Sequence, residues 1–152
     1  MSAESVSWNE GLPGDARGLK FAIVVARFHT AVTEAMLSCA RRTLEDAGAE
    51  VLDIFHVPGA FELPLAVKLL AQRRAYHAIV ALGAVIRGET PHFDFVSAEA
   101  ARGLQQVALE TGVPVAFGVL TTDTLQQAQA RISKGRDAAL TAIEMARLAA
   151  AL

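Results

Sequence analysis

The sequence has few of the features that mark several large classes of protein. It holds one cysteine, Cys39, in 152 residues, which excludes an internal disulfide and a zinc site built from several cysteines. Its longest apolar run, Ala78–Ile86, spans nine residues, whereas a membrane-crossing helix needs about 20. Residues 1–18 show no basic region followed by an apolar block, so we expect no secretory signal. These absences predict a soluble, cytoplasmic protein with no membrane partner.

Charged residues are also scarce, and neither sign is in clear excess. They make up 20% of the chain, against about 25% in an average soluble domain. The 14 basic and 16 acidic residues give a net charge of −2, without the basic surface that nucleic-acid binding requires. We therefore expect no nucleic-acid partner. Because apolar residues reach 53%, we expect part of the surface to be covered in a homo-oligomer.

Several catalytic motifs are missing as well. The sequence contains neither the Gly-x-Gly-x-x-Gly dinucleotide fingerprint nor a phosphate loop ending in Gly-Lys-Ser/Thr. It also lacks the Gly-x-Ser-x-Gly and His-Glu-x-x-His motifs of serine hydrolases and zinc proteases. Dinucleotide redox chemistry, nucleotide hydrolysis, serine hydrolysis and zinc proteolysis therefore lose their support.

Four β-type runs alternate with segments of helical spacing. The runs are Phe21–Ala26, Val51–Val57, Ala78–Gly83 and Val115–Val119, and they begin about 30 residues apart, the length of a βαβ unit. Nearly continuous apolar strands are typical of a parallel sheet that is buried on both faces. The pattern predicts an α/β three-layer sandwich, with helices on both faces of a four-stranded parallel sheet.

The domain organisation predicted from composition is simple. Residues 1–18 are rich in Ser, Glu, Gly and Pro and carry Trp8, a composition that predicts a flexible or partner-docked arm. Residues 19–152 are predicted to form a single domain. Caps, prolines and glycines then predict the helix boundaries. The predicted helices run from an N-cap at Thr30 to Gly48, from Pro64 to about Arg74, from an N-cap at Ser97 to Gly112, from Thr122 to an interruption at Gly135, and over Asp137–Ala150.

Polar and aromatic residues follow all four predicted strands. The segments in question are 27–30, 58–62, 84–94 and 120–123. Because ligands of open α/β sheets bind outside the carboxyl ends of the strands, we expect one small-molecule site built from all four segments.

The third segment is the richest in chemistry. Gly88 can bring backbone N–H groups close to a ligand and Thr90 adds a hydroxyl, a combination that suits an anion such as phosphate. His92 follows, and the ordinary histidine pKa of about 6.5 lets it move protons in both directions near neutral pH. The alternative is a loop histidine that only holds backbone in place.

Other residues near the strand ends have two interpretations each. Phe28 stacks on a flat ring or packs in the core, and Glu62 binds substrate hydroxyls or favours a helix start. Arg87 is a structural ion-pair member or a ligand, whereas His56 and His77 are expected to be structural. The residue types alone thus indicate a phosphate-bearing small molecule, a flat ring and acid–base chemistry.

Five segments together resemble the lumazine synthase family. They are Ala26–Phe28, Pro58–Pro64, Gly83–Val96, Gly118–Thr122 and Ala142–Ala146, and the resemblance covers about residues 15–149. The block Gly83-Ala84-Val85-Ile86-Arg87-Gly88-Glu89-Thr90-Pro91-His92-Phe93-Asp94-Phe95-Val96 is highly specific.

The resemblance implies a flavodoxin-like fold and a transferase activity. Members condense 5-amino-6-(D-ribitylamino)uracil with 3,4-dihydroxy-2-butanone 4-phosphate to 6,7-dimethyl-8-ribityllumazine, the penultimate step of riboflavin biosynthesis, without metal or organic cofactor. They form homo-pentamers or multiples of pentamers, with active sites between neighbouring subunits. The resemblance also implies a functional link to riboflavin synthase.

The resemblance further assigns roles to twelve residues that match its motifs. It places Phe28 against the pyrimidine ring; Ala60, Phe61 and Glu62 on the ribityl-bearing substrate; the backbone of Ala84, Val85 and Ile86 on the pyrimidine edge; Glu89, Thr90 and Arg131 on the butanone phosphate; Phe117 across a subunit boundary; and His92 as the acid–base residue.

Two features depart from the family pattern. His29 stands where the family usually has Asn, and the connection 132–136 is several residues shorter than in familiar shell-forming members. A non-catalytic flavin or lumazine carrier on the same scaffold is the alternative function. Phe28 and Glu62 fit both functions, whereas His92, Thr90 and Arg131 together favour the enzyme.

Overall fold

A four-stranded parallel sheet forms the centre of the structure, a computed structural model that describes residues 14–152. The strands are β1 (Lys20–Ala26), β2 (Val51–Val57), β3 (Ala78–Ile86) and β4 (Val115–Thr122). Their order is β2-β1-β3-β4, and every neighbouring pair is parallel. The predicted α/β sandwich is confirmed, in the flavodoxin-like arrangement. Trp8 and the rest of residues 1–13 lie outside the described residues.

Five α-helices and one short 3₁₀ helix connect and cover the strands within the described part of the chain. They are α1 (Thr30–Asp46), the 3₁₀ helix (Ala60–Glu62), α2 (Leu63–Gln72), α3 (His92–Thr111), α4 (Leu125–Gln129) and α5 (Lys134–Ala151). None of the helices within residues 14–152 combines the length and the apolar character that crossing a membrane requires.

The alternation of β1 explains why the protein has two hydrophobic layers. Phe21, Ile23 and Val25 are buried with residues of α1 and α5 on one face of the sheet. Ala22 and Val24 are buried with residues of α2 and α3 on the other face. Successive side chains of a strand point to opposite faces, so a strand with no polar alternation is covered on both sides.

At the site edge of the sheet, two predicted helix starts are wrong. α3 begins at His92 rather than at Ser97, because Pro91 occupies the N-cap position and the helix continues straight out of the β3 loop. Thr122 belongs to β4 instead of starting a helix; the next helix begins at Leu125, with the Thr124 hydroxyl accepting the N–H of Gln127 at 3.1 Å. Both strands, β3 and β4, are three residues longer than predicted.

The start of α1 also differs from the prediction. His29, rather than Thr30, is the N-cap and adopts a left-handed conformation with φ 61° and ψ 52°. Its carbonyl accepts the N–H groups of Val32 and Thr33 at 2.9 and 3.0 Å. The Thr30 hydroxyl instead donates to the carbonyl of Arg27 at 2.6 Å, which tightens the turn after β1.

Gly135 lies inside the first turn of α5 and does not interrupt a helix, so the prediction that the last helix starts at Asp137 is wrong by three residues. A Cβ at this position would clash with the Met36 carbonyl oxygen and lie 2.9 Å from its carbonyl carbon. The missing side chain therefore allows α5 to approach the backbone of α1 closely.

Residues 15–17 attach the start of the described chain to the C-terminal end of α1 and to α5. The N–H of Ala16 donates to the Ala47 carbonyl at 2.9 Å, and Ala16 is fully buried. The guanidinium of Arg147 in α5 donates to the carbonyls of Asp15 at 3.0 Å and Arg17 at 2.8 Å.

Candidate functional site

The turn after β1 presents Phe28 at the carboxyl edge of the sheet. The N–H of Arg27 donates to the Val57 carbonyl at 2.8 Å, and that of Phe28 donates to the Pro58 carbonyl at 3.1 Å. These bonds attach the turn to the end of β2. The Phe28 ring is 67% exposed, so its position does not contribute to the core. Of the two interpretations of Phe28, the buried core aromatic is excluded.

The turn after β2 packs against the Phe28 ring and carries Glu62. The N–H of Gly59 donates to Oε1 of Glu62 at 2.9 Å, which closes the 3₁₀ helix at its start. A Cβ at Gly59 would lie 2.6 Å from Cδ2 of Phe28 and 3.3 Å from Oε1 of Glu62. A side chain at this position would therefore displace the Phe28 ring, and the ring and the carboxylate both lie against this one backbone position.

The end of β3 supplies backbone hydrogen-bonding groups. Pairing between β1 and β3 ends at Leu82, whereas pairing between β3 and β4 continues to Ile86. The N–H of Arg87 donates to the Thr122 carbonyl at 2.9 Å, so alternation along the strand directs the N–H and C=O of Ala84 and Ile86 away from β4. On that side β1 has ended, and these groups are available to a planar ligand.

The first turns of α3 close the opposite wall of the site. His92, Phe95 and Val96 lie three and four residues apart and so share one helix face. His92 is exposed, and Phe95 is 67% exposed. Phe95 and Val96 were missed by sequence reasoning because the helix was predicted to start at Ser97. A helix beginning at Pro91 or His92 would have placed both beside the histidine.

These four elements enclose one cleft of about 510 Å³. Its lining brings together eight of the twelve predicted site residues and four others. The predicted ones are Phe28, Ala60, Phe61, Glu62, Ala84, Val85, Ile86 and His92; the others are His29, Gly59, Phe95 and Val96.

Glu89 and Thr90 lie beside the cleft, in the loop 87–91 between β3 and α3. The hydroxyl of Thr90 accepts the N–H of His92 at 3.4 Å. Within residues 14–152, the N–H groups of Gly88, Glu89 and Thr90 donate no hydrogen bond to a backbone or side-chain acceptor. Consecutive free backbone N–H groups on an exposed loop are a chemical environment that suits an anion.

Arg87 is an ion-pair member, one of the two roles considered for it. Its Nε donates to Oδ1 of Asp123 at 2.9 Å, and its Nη1 lies 3.5 Å from Oδ1 of Asp94. Its guanidinium also stacks over the Phe93 ring, 4.4 Å from the centroid. The hydrogen bond to Asp123 raises the pKa of Arg87 further above its ordinary value, so the guanidinium stays charged.

Phe117 and Arg131 are not in the cleft. They line a second cavity of about 500 Å³, together with Thr121, Lys134 and other residues of β4 and the α4–α5 connection. Nη1 of Arg131 donates to the Gln127 carbonyl at 2.9 Å, and the side chain is exposed. The expected single site from all four strand ends is therefore wrong for one chain: three strand ends form the cleft, and the end of β4 belongs to the second cavity.

The remaining described histidines lie away from the cleft. Nδ1 of His77 accepts the N–H of Lys20 at 2.9 Å, which confirms its structural role. Nε2 of His56 lies 3.0 Å from Oε1 of Glu34 on the outer side of β2 and α1. No cluster of three or more His, Cys, Asp or Glu side chains suited to a metal ion occurs within residues 14–152.

The cleft has a definite chemical character. Aromatic rings on two walls suit a flat ligand, unpaired backbone groups suit its polar edge, and a carboxylate suits hydroxyls. An exposed histidine at the rim can donate or accept a proton, and an adjacent loop can hold an anion. The second cavity, which is separate from the cleft, is lined by two cationic side chains, Arg131 and Lys134.

Comparisons with known proteins agree with this chemistry. A sequence model of the family described as 6,7-dimethyl-8-ribityllumazine synthase matches residues 18–150. A 6,7-dimethyl-8-ribityllumazine synthase from Syntrophus aciditrophicus (strain SB) is 53% identical over 137 residues, covering 86% of this chain and 89% of the relative.

Proposed function

The chain belongs to the 6,7-dimethyl-8-ribityllumazine synthase family, and on this premise we propose that its active site is shared between two subunits. The chain is a transferase of riboflavin biosynthesis that condenses 5-amino-6-(D-ribitylamino)uracil with 3,4-dihydroxy-2-butanone 4-phosphate. In the proposed site, the cleft of one subunit faces the second cavity of its neighbour. The oligomer is a homo-pentamer or a multiple of pentamers.

One observation carries the proposal of a shared site. The cleft contains the aromatic ring, the carboxylate and the histidine that the reaction needs, whereas Phe117 and Arg131 line a separate cavity of the same chain. Both cavities are open to solvent in one subunit and have complementary contents. A cyclic oligomer brings one surface of each subunit against a different surface of the next, which joins such halves at every interface.

The pyrimidine substrate occupies the cleft in this proposal. Its ring stacks on Phe28, its polar edge bonds to the unpaired backbone groups of Ala84 and Ile86, and its ribityl hydroxyls reach Glu62. Ala60 and Phe61 hold the ribityl-bearing side, and Val85 lies under the ring. His29 replaces the usual Asn in the cleft lining and can still donate or accept a hydrogen bond.

The butanone phosphate is proposed to lie beside the loop 87–91. Its phosphate accepts hydrogen bonds from the N–H groups of Glu89 and Thr90 and from the Thr90 hydroxyl. Arg131 of the neighbouring subunit neutralises the phosphate charge. A guanidinium suits this role because its planar fork matches phosphate oxygens. Phe117 of the neighbour covers the reactants.

The proposed reaction sequence begins when the amine of the uracil attacks the butanone carbonyl. Loss of water gives an imine, with His92 accepting and returning protons. Elimination then releases inorganic phosphate, and the ribityl-bearing nitrogen closes the second ring with loss of another water. Holding two reactants together contributes about 7–11 kcal/mol to such a reaction, so His92 supplies only part of the acceleration.

Location and a functional partner complete the proposal. We place the enzyme in the cytoplasm, because a phosphorylated substrate does not cross a membrane and must be made where it is used. The product is the substrate of riboflavin synthase, which supports a functional link between the two enzymes.

The activity test mixes purified protein with both substrates and follows lumazine absorbance and fluorescence beside a protein-free control. We expect a rate well above the control, reduced about 100-fold or more by His92→Ala but not abolished. A wild-type rate equal to the control, with tight riboflavin binding, would instead favour the carrier function.

The shared site is tested by complementation. His92→Ala and Arg131→Ala chains, with different tags, are co-expressed, and the mixed oligomers are purified through both tags. If halves from two subunits combine, about a quarter of the sites in a 1:1 ring carry both wild-type halves, and activity rises above that of either parent. Mixed oligomers no more active than their parents would show that each site lies within one chain. Native mass spectrometry of the same samples gives the number of 16.1 kDa subunits.

A further inference from the structure

The Arg87 side chain links the end of β4 to the first turn of α3. Its Nε is 2.9 Å from Oδ1 of Asp123, just past β4, and its Nη1 is 3.5 Å from Oδ1 of Asp94 in α3. The same guanidinium lies 4.4 Å from the centroid of the Phe93 ring. Asp94 and Phe93 are the two residues that follow His92. The three contacts therefore hold the backbone immediately after the acid–base residue.

The loop that Arg87 spans has few bonds of its own. Its first residue is attached to β4 by the 2.9 Å bond from the Arg87 N–H to the Thr122 carbonyl. Near its other end, the His92 N–H lies 3.4 Å from the Thr90 hydroxyl and the Asp94 N–H donates to the Pro91 carbonyl at 3.0 Å, and neither bond attaches the loop to β4. The Arg87 side chain thus connects the two ends of an exposed loop, in which the N–H groups of residues 88–90 donate no hydrogen bond within the described part of the chain.

These contacts contribute little to overall stability. The side chains of Arg87, Asp94 and Asp123 are 46%, 62% and 66% exposed, and exposed ion pairs stabilise folded proteins only weakly. Positioning is a different matter, because a displacement of about 1 Å in a catalytic group can lower a rate about 100-fold. The position of the loop is therefore more sensitive to Arg87 than the fold is.

We propose that Arg87 is a positioning residue that holds the loop 87–91 and His92 in the geometry for the butanone phosphate. The inference rests on the proposed site and adds to it a residue that touches neither substrate. Arginine is needed because one planar group must bond two carboxylates and stack on a ring at once, which the single ammonium of lysine does not do.

The test compares Arg87→Lys and Arg87→Met with Arg41→Met. Arg41 has a comparable exposed pair, with its Nε 2.7 Å from Oε1 of Glu45 on α1, and serves as the matched control. We expect the two Arg87 variants to raise KM for the butanone phosphate about 10-fold and to lower kcat, with KM for the pyrimidine unchanged within about twofold. Arg87→Lys should not restore the wild-type KM or kcat. The control variant should match wild type.

Amide hydrogen exchange gives a readout that does not depend on activity. We expect faster exchange across residues 88–94 in both Arg87 variants and unchanged exchange in α1 and α5. An inactive wild-type protein whose loop still loosens in the variants would refute the proposed function while leaving the positioning contact intact. If Arg87→Met does not fold, Arg87→Lys and Asp123→Asn address the same contacts.

Three results would overturn the positioning role. They are Arg87→Lys kinetics equal to wild type, an equal rise in KM for both substrates, and a change in subunit number by native mass spectrometry. The last would place Arg87 in subunit assembly rather than in loop positioning.

Discussion

The backbone N–H of Gly59 donates to Oε1 of Glu62 at 2.9 Å while the Phe28 ring lies against the same glycine. One backbone position therefore sets the distance between the aromatic and the acidic side of the cleft. The Phe28 and Glu62 side chains are both exposed, so this arrangement depends on the turn at Gly59 rather than on core packing of either side chain.

Gly59→Ala is expected to impair binding of the pyrimidine substrate without unfolding the protein. The new Cβ would lie 2.6 Å from Cδ2 of Phe28, and the exposed ring must move away. We expect kcat/KM for the pyrimidine to fall about tenfold, equal to about 1.4 kcal/mol of transition-state stabilisation. Steady-state kinetics with each substrate varied in turn checks this, and an unchanged kcat/KM for the pyrimidine would contradict it.

Phe28→Ala is expected to separate binding from stability. The ring is 67% exposed, so its removal should change the free energy of unfolding by less than about 1 kcal/mol. Riboflavin or lumazine binding should weaken by about 0.5–1.5 kcal/mol, the usual contribution of aromatic stacking.

Phe21→Ala provides the comparison for Phe28. This ring is fully buried in β1, and its loss should destabilise the fold by about 3–5 kcal/mol. Denaturant unfolding and fluorescence titration of both variants measure the two quantities. A large loss of stability in Phe28→Ala would place that ring in the core after all.

Gly135→Ala is expected to destabilise the packing of α5 on α1. Its Cβ would clash with the Met36 carbonyl, and backbone cannot yield as a flexible side chain does. We expect a loss of about 1–3 kcal/mol, measured by denaturant unfolding. Gly14→Ala is the control, because a Cβ there would meet no atom of residues 14–152 within 4 Å. Equal stability of the two variants would show that the helices are not in close contact at Gly135.

Tyr76, the single tyrosine of the chain, is expected to ionise at a higher pH than an ordinary tyrosine. Burial, and then the 2.6 Å hydrogen bond to Asp53 Oδ2, raise its pKa from 10 to about 12. A pKa raised in the folded state means that the contribution to stability is complete below pH 10 and is lost as pH rises from about 10 to about 12.

Phenolate absorbance during alkaline titration of the folded protein measures this pKa directly. Tyr76→Phe supplies the baseline, and Asp53→Asn should lower the midpoint because it removes the neighbouring carboxylate charge. A midpoint near 10 in the wild-type protein, while circular dichroism still reports the folded state, would contradict the expectation.

The strands were predictable because burial on both faces leaves a local signal. Runs such as Phe21–Ala26 are apolar without alternation, and only a covered parallel sheet requires that. Helix starts were less predictable. Ser97 is an attractive N-cap by residue type, but its hydroxyl donates to the Phe93 carbonyl at 2.7 Å inside α3, whereas Pro91 occupies the true N-cap position.

Much of the candidate cleft was also predictable from the sequence, since parallel topology brings the residues that follow each strand to one edge. Phe28, Glu62 and His92 meet there as expected. Phe95 was missed because its helix was assumed to start later. The sequence did not predict that Arg131 lies outside the cleft of its own chain. No local pattern indicates on which side of β4 the segment that follows this strand lies.

The sequence by itself determined the family, the α/β class and the residue types gathered at the site edge, because each depends on local patterns or on motifs. Only the tertiary structure decided that β3 extends beyond the end of its pairing with β1, which leaves the backbone groups of Ala84 and Ile86 on that side without a strand partner. It alone also placed Arg87 between two carboxylates 7 and 36 residues away along the chain. Such relationships depend on register and packing between distant segments, which the order of residues does not state locally.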